Sequence, residues 1–143
     1  MAEYTAVLAQ TVSANGSVLF DDSVRMCQCG GRRNVFHRPG TGTVKVRGIP
    51  GRCYTRVRVT FGGNIAVPAG GTVEEISIAI AIDGEPMPST TMLYTPAAVD
   101  VYGNVFAFIH ADIPCDCCTS VSVVNTSEQD ILVQNANLTI DRA

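Results

Sequence analysis

At 143 residues the chain fits one domain with room for a proper core. It is 46% hydrophobic but only 16% charged, against about 25% in a typical soluble domain, which points to apolar surface buried between subunits. The net charge of −3, with no run of like charges, argues against a nucleic-acid partner, and no apolar run approaches the roughly 18 residues that span a membrane.

The opening stretch "MAEYTAVLAQTVSANG" has no charged region followed by an apolar core, so no secretory signal peptide is expected. The sequons at Asn15, Asn125 and Asn137 are read as chance tripeptides. Helical periodicity is almost absent. Short apolar or alternating segments, separated by turn residues, predict strands at 4–12, 17–20, 24–28, 34–38, 42–47, 53–62, 72–82, 90–95, 101–113, 118–125 and 130–141. The turns "SANG", "RPGTG", "GIPG", "VPAGG", "DGEP" and "NTSEQ" carry Gly, Pro, Asn or Ser. No repeat or linker divides the chain. The expectation is an all-β, two-sheet antiparallel sandwich over 1–143, with 1–20 as an N-terminal docking strand or arm.

Two strands alternate cleanly. In "TRVRVTF", Val57, Val59 and Phe61 share one face and Arg56, Arg58 and Thr60 the other. In "EISIAIAID", Ile76, Ile78, Ile80 and Ile82 oppose Ser77, Ala79 and Ala81. The segment "VYGNVFAFIHADI" differs, because both faces are apolar. Val101, Val105, Ala107, Ile109 and Ile113 form one face, and Tyr102, Phe106, Phe108 and His110 the other. A strand with two apolar faces asks to be covered twice. One cover is the core; the other is expected to be a second subunit rather than a loop of the same chain.

The stretch from Cys53 onward, with "FGGNIAVPAGGT", "AIDGEPMPS", "TPAAV" and "VQNANL" as its most specific pieces, resembles small proteins of gut Firmicutes and their bacteriophages. The resemblance spans about residues 43–142. Those proteins look like compact relatives of the tumour necrosis factor and complement globular-head jelly rolls. The resemblance implies a jelly roll that assembles as a tight homotrimer. It implies that the strand 101–113 lines the three-fold axis, with Tyr102, Phe106, Phe108 and His110 at the trimer interface. The same fold caps collagen-like filaments of some spore surfaces and some phage head fibres; this chain carries no Gly-X-Y stalk.

The six cysteines are Cys27, Cys29, Cys53, Cys115, Cys117 and Cys118. Zinc clips more often use C-x2-C pairs than the C-x-C spacing seen here. Disulfides are the preferred reading, with a metal clip and free thiols as alternatives, and six cysteines allow fifteen pairings. In the jelly roll implied by the resemblance, Cys53 opens a strand beside the 113–118 turn. The favoured bridge is therefore Cys53 to Cys117 or Cys118, with Cys27 or Cys29 taking another member of the cluster. A bridge closing about 60 residues contributes roughly 3–4 kcal/mol.

His110 is read as an interface residue, with a metal or anion held by three copies on the axis as the lesser alternative. His37 is read as a strand-end residue. There is no G-x-S-x-G, H-E-x-x-H or G-x-x-x-x-G-K, and nothing orients a Cys–His pair, so no enzyme, resident metal or cofactor is expected. Glu74, Glu75, Asp83 and Glu85 are read as solvated loop carboxylates. The leading expectation is a structural protein of a surface assembly: a phage virion decoration or head-fibre protein, or an extracellular filament subunit. Its partners would be further copies and a capsid or other structural protein. The alternative is a soluble module that binds a host-surface glycan or receptor, through loops such as "AIDGEPMPS" and "SEQD". Either reading puts the protein on a virion surface or outside the cell.

Overall fold

The computed structural model describes residues 2–26, 35–37, 40–49, 51, 53–115 and 118–143. The chain is all-β, with two antiparallel sheets and no α-helix among the described residues. In chain order the strands are β1 (Ala2–Ala6), β2 (Gln10–Val12), β3 (Asp22–Met26), β4 (Val35–His37), β5 (Val44–Arg47), β6 (Tyr54–Ala66), β7 (Ile76–Ile82), β8 (Glu85–Pro86), β9 (Met92–Tyr94), β10 (Gly103–Pro114), β11 (Cys118–Asn125) and β12 (Ile131–Arg142). One sheet runs β10-β6-β12-β1-β3, with β2 paired to β12. The other runs β4-β5-β11-β7-β8, with β9 paired to β7.

The core lies between the sheets and follows the period of two. β6 turns Val57, Val59, Phe61 and Ile65 inward, β12 turns Ile131, Val133, Leu138 and Ile140 inward, and all of these are buried. Each such side chain contributes roughly 1.5–3 kcal/mol of burial. From the facing sheet come Ile76, Ile78 and Ile80 of β7 with Val121 and Val123 of β11. Ala79 and Ala81, expected on a milder face, are buried too, so β7 is covered on both sides.

Turn chemistry fixes the register. Asp83 and Gly84 both take positive φ, 53° and 82°, and join Ile82 to Glu85 in a two-residue hairpin of the kind that matches strand twist. The Asp83 carboxylate accepts the Ser120 N–H at 3.0 Å, tying that hairpin to β11. Asn125 is wholly buried, and its amide donates to the carbonyls of Val12 (3.1 Å) and Gln129 (2.8 Å) while its oxygen accepts the Ser127 N–H (2.9 Å). That side chain binds three segments at one pole of the sandwich.

Several boundaries differ from the sequence reading. The expected strand 4–12 is two strands, broken at 7–9 where Leu8 is 81% exposed. Among the described residues, segment 17–20 forms isolated bridges rather than a strand, Ser17 to Val124 and Phe20 to Thr41. β6 continues through Gly62 and Gly63, which resemble a turn in the sequence, because β12 bulges between Gln134 and Asn137 to accommodate them. β10 begins at Gly103, leaving Val101 and Tyr102 before the strand. Gly103 sits where a Cβ would strike the Tyr94 ring, so only glycine allows β9 to lie so close.

Candidate functional site

The outer face of the β10-β6-β12 layer is assembled by alternation alone. β10 is an edge strand, paired on one side to β6 in unbroken register from Gly103↔Ile65 to Pro114↔Tyr54. Its even-numbered residues, from Asn104 to Asp112, are exposed. Phe106 is 61% exposed and Phe108 54% exposed, although both are large rings on a regular strand. The inward residues Val105 and Ile113 are buried, while Ala107, Ile109 and Ala111 are only partly covered. The inner row thus packs on the core, more loosely in its middle, while the outer row is open. Tyr102, expected in the same row, precedes β10 and is half-buried.

Beyond the rings the face becomes polar. The Phe108 and His110 rings meet edge to face, with centroids 5.9 Å apart and planes at 77°. His110 lies directly across from Arg58, and Arg58 lies across from Asp141 on β12. Arg58 Nη2 reaches Asp141 Oδ2 at 3.5 Å. One pair nearer the strand end, Arg56 grips Asp112 with Nε to Oδ1 at 2.8 Å and Nη2 to Oδ2 at 3.1 Å. The Arg56 hydrogen bond holds the Asp112 carboxyl below the usual carboxylate range. Arg56 also sits 5.9 Å from the centre of the Tyr54 ring. On β12 and β1, Asn137 Nδ2 donates to Glu3 Oε1 at 2.6 Å, and Thr139 Oγ1 donates to Asn137 Oδ1 at 2.9 Å.

The described cysteines lie where β6, β10 and β11 meet at one pole. Cys53 precedes β6 and is exposed, Cys115 follows β10 and is half-buried, and Cys118 opens β11 beside Arg47 of β5. Gly48 lies under this crossover, where a Cβ would run into the Pro114 carbonyl oxygen. The register Tyr54↔Pro114, carried one step further, sets Cys53 opposite Cys115. Cys118 lies in the other sheet. The expected bridge from Cys53 to Cys117 or Cys118 would reach from the start of β6 toward the start of β11 in the facing sheet. Cys27, Cys29 and Cys117 lie outside the described residues. His37 ends β4.

Among the described residues, no group of three or more His, Cys, Asp or Glu is placed to hold a metal ion, and no helix is long and apolar enough to cross a membrane. A shallow cavity of about 360 Å³ is lined by residues 68–72 with Gln129 and Asp130. Gln129 shapes it by accepting the Thr72 N–H (3.0 Å) and donating to the Thr72 carbonyl (2.8 Å), imitating a strand partner.

Sequence reasoning finds the aromatic row by its period but misses two features of the face. Gly62, opposite Phe106, carries no signal beyond its resemblance to a turn residue. The Arg56–Asp112 and Arg58–Asp141 pairs join residues far apart in the chain, and single-strand patterns do not register them.

No family model matches the chain, and no curated protein matches it in sequence. Solved structures do match in shape. The Eiger tumour necrosis factor from S. frugiperda superposes with a TM-score of 0.73 at 10% identity, covering 99% of this chain and 90% of that one. The globular domain of zebrafish complement 1qA gives 0.59 at 10% identity over 96% and 94%. Murine APRIL gives 0.56 at 10% identity over 96% and 98%. The fold is thus the tumour necrosis factor and complement-head jelly roll.

Proposed function

We propose that this protein is a non-enzymatic jelly-roll module that works as a homotrimer, with the outer face of β10 turned toward the three-fold axis. Phe106, Phe108 and His110 form the interface there, and Tyr102 borders it. The observation that carries the reading is the edge strand itself: a twelve-residue strand with no further strand paired beyond it among the described residues, bearing two rings more than half exposed. An edge of that length and polarity is a pairing and aggregation hazard unless another element covers it. The low charge of the whole chain supports the same conclusion. Sedimentation over a dilution series tests it, and a stable monomer at micromolar concentration would refute it.

The role we assign to the trimer is structural. It decorates or builds a surface assembly, such as a phage head decoration, a fibre head or an extracellular filament, alongside a capsid or other structural protein. Recovery of the chain in purified particles is the expected result. The second reading is a soluble glycan- or receptor-binding module, and the braced loop cavity at 68–72 favours it. Saturable binding on a glycan array by the free protein, without recovery in particles, would put that reading first. Neither reading calls for a cofactor.

A further inference from the structure

The cavity at 68–72 is built from both walls. On one side Gly71 N–H donates to the Pro68 carbonyl at 2.9 Å, closing a tight turn in which Gly70 takes a φ of 87°. A Cβ on Gly71 would meet Gln129 Oε1 at 2.9 Å and Val67 Cγ1 at 2.7 Å, so glycine is what admits the Gln129 side chain. That amide is fully engaged: its oxygen takes the Thr72 N–H, and its nitrogen donates to the Thr72 carbonyl and, at 3.2 Å, to Glu74 Oε1. On the other side the buried Asn125 amide holds the Gln129 carbonyl at 2.8 Å. Asp100 N–H donates to the Val67 carbonyl at 2.8 Å and ties down the start of the loop. The walls are thus fixed before any ligand arrives, which lowers the ordering cost of binding one. The volume of about 360 Å³ suits a small group.

The chemistry of the lining selects the ligand. Between Arg58 and Arg142 the sequence has no lysine or arginine. The loops that meet here carry Glu74, Glu75, Asp100, Glu128 and Asp130, all exposed. Phosphates, sulfated sugars and uronic acids are therefore repelled. Pro68, Ala69 and two glycines offer little apolar area, and no aromatic ring lines the cavity, so a greasy ligand would gain little. We infer that the cavity is a subsite for one uncharged sugar ring. Asp130, on its rim, accepts the hydrogens of two neighbouring sugar hydroxyls, and such charge-assisted bonds are about twice as strong as neutral ones. Thr72 adds a side-chain hydroxyl. Among the described residues, nothing beyond its chain neighbours lies within 4 Å of a Cβ built on Gly70, so a ring can approach that backbone closely.

This inference rests on the glycan-binding reading above and names its subsite. The test is an NMR titration of the full chain with glucose, galactose, mannose and N-acetylglucosamine, with glucuronic acid and glucosamine as charged probes. At least one neutral sugar should move the backbone amides of residues 69–72 and 129–130, and glucuronic acid should move none. Asp130→Asn should weaken that binding roughly tenfold. Glu128→Gln, beside the cavity but outside its lining, should leave it unchanged. Shifts confined to another part of the surface, or a glycan array positive for the protein while these amides stay still, overturn the subsite and leave the recognition reading standing. An array and a titration that are both blank sink the two together. Glucosamine binding more tightly than every neutral sugar overturns the neutral assignment in favour of a cation site. Unchanged affinity in Asp130→Asn overturns the role of that carboxylate; should the variant fail to fold, the wild-type titration decides.

Discussion

Arg56 and Asp112 face each other directly across β6 and β10, and the guanidinium holds both carboxylate oxygens, at 2.8 and 3.1 Å. This bidentate pair is solvent-exposed, so its effect on stability is screened. Its effect on titration is direct. Asp112 is held below the ordinary value by the Arg56 hydrogen bond, with the charges of Arg56 and His110 acting the same way. A carboxyl lowered by folding stabilises the fold above its unfolded value, near 3.9, and loses that contribution as pH falls through the folded value. NMR titration should find Asp112 titrating below ordinary aspartates, and Arg56→Gln should move it back up. A wild-type titration at the ordinary value would contradict the geometry.

Replacing Phe106 and Phe108 together by serine should dissociate the proposed trimer and leave the subunit folded, because neither ring contributes to the core. Central interface aromatics typically carry about 2 kcal/mol or more, so the dissociation constant should rise on the order of 30-fold. Sedimentation beside a thermal melt separates loss of assembly from loss of fold.

Asn125→Ala should cost about 3 kcal/mol, since it strands the buried Val12 carbonyl and the half-buried Gln129 carbonyl and Ser127 N–H at once. Urea unfolding measures it. A cost under about 0.5 kcal/mol would mean that water replaces the amide without penalty.

Gly48→Val should destabilise by roughly 2 kcal/mol or more through overpacking, because its side chain would have to displace the Pro114 carbonyl and the Cys115 backbone. Gly51→Ala is the contrast: among the described residues nothing beyond its chain neighbours lies within 4 Å of its Cβ position, and its positive φ of 85° adds a backbone cost. Thermal melts of both variants separate crowding from backbone strain.

Among the described cysteines, Cys53 should react with maleimide faster than half-buried Cys115 in the reduced, folded protein. Peptide mapping after a short pulse gives the order. In oxidised protein, non-reducing electrophoresis of wild type and Cys53→Ser shows whether that thiol links chains: the higher bands disappear in the variant if it does.

Much of this architecture is legible in the residues. β7 and the first half of β6 alternate so regularly that the period of two alone assigns their inward faces. The aromatic row on β10 follows from the same period. What escapes is whatever depends on a second strand. The continuation of β6 through Gly62 and Gly63 rests on a bulge in β12, far later in the chain. The break after β1 has no turn residue to announce it; "VLA" reads as strand, yet Leu8 projects into solvent. That β10 and β11 belong to different sheets is likewise invisible in either strand's own pattern.

The place of β12 has a consequence for biosynthesis. It lies between β6, with which it pairs along most of its length, and β1, with which it pairs over Ala136–Ile140. Until the ribosome has delivered β12, the first strand has only β3 beside it and β6 presents a bare edge. The sheet that carries the aromatic row thus cannot be completed before residues 131–142 are made. From the making of β6 until β12 arrives, that apolar layer is half-built and prone to stick to its neighbours.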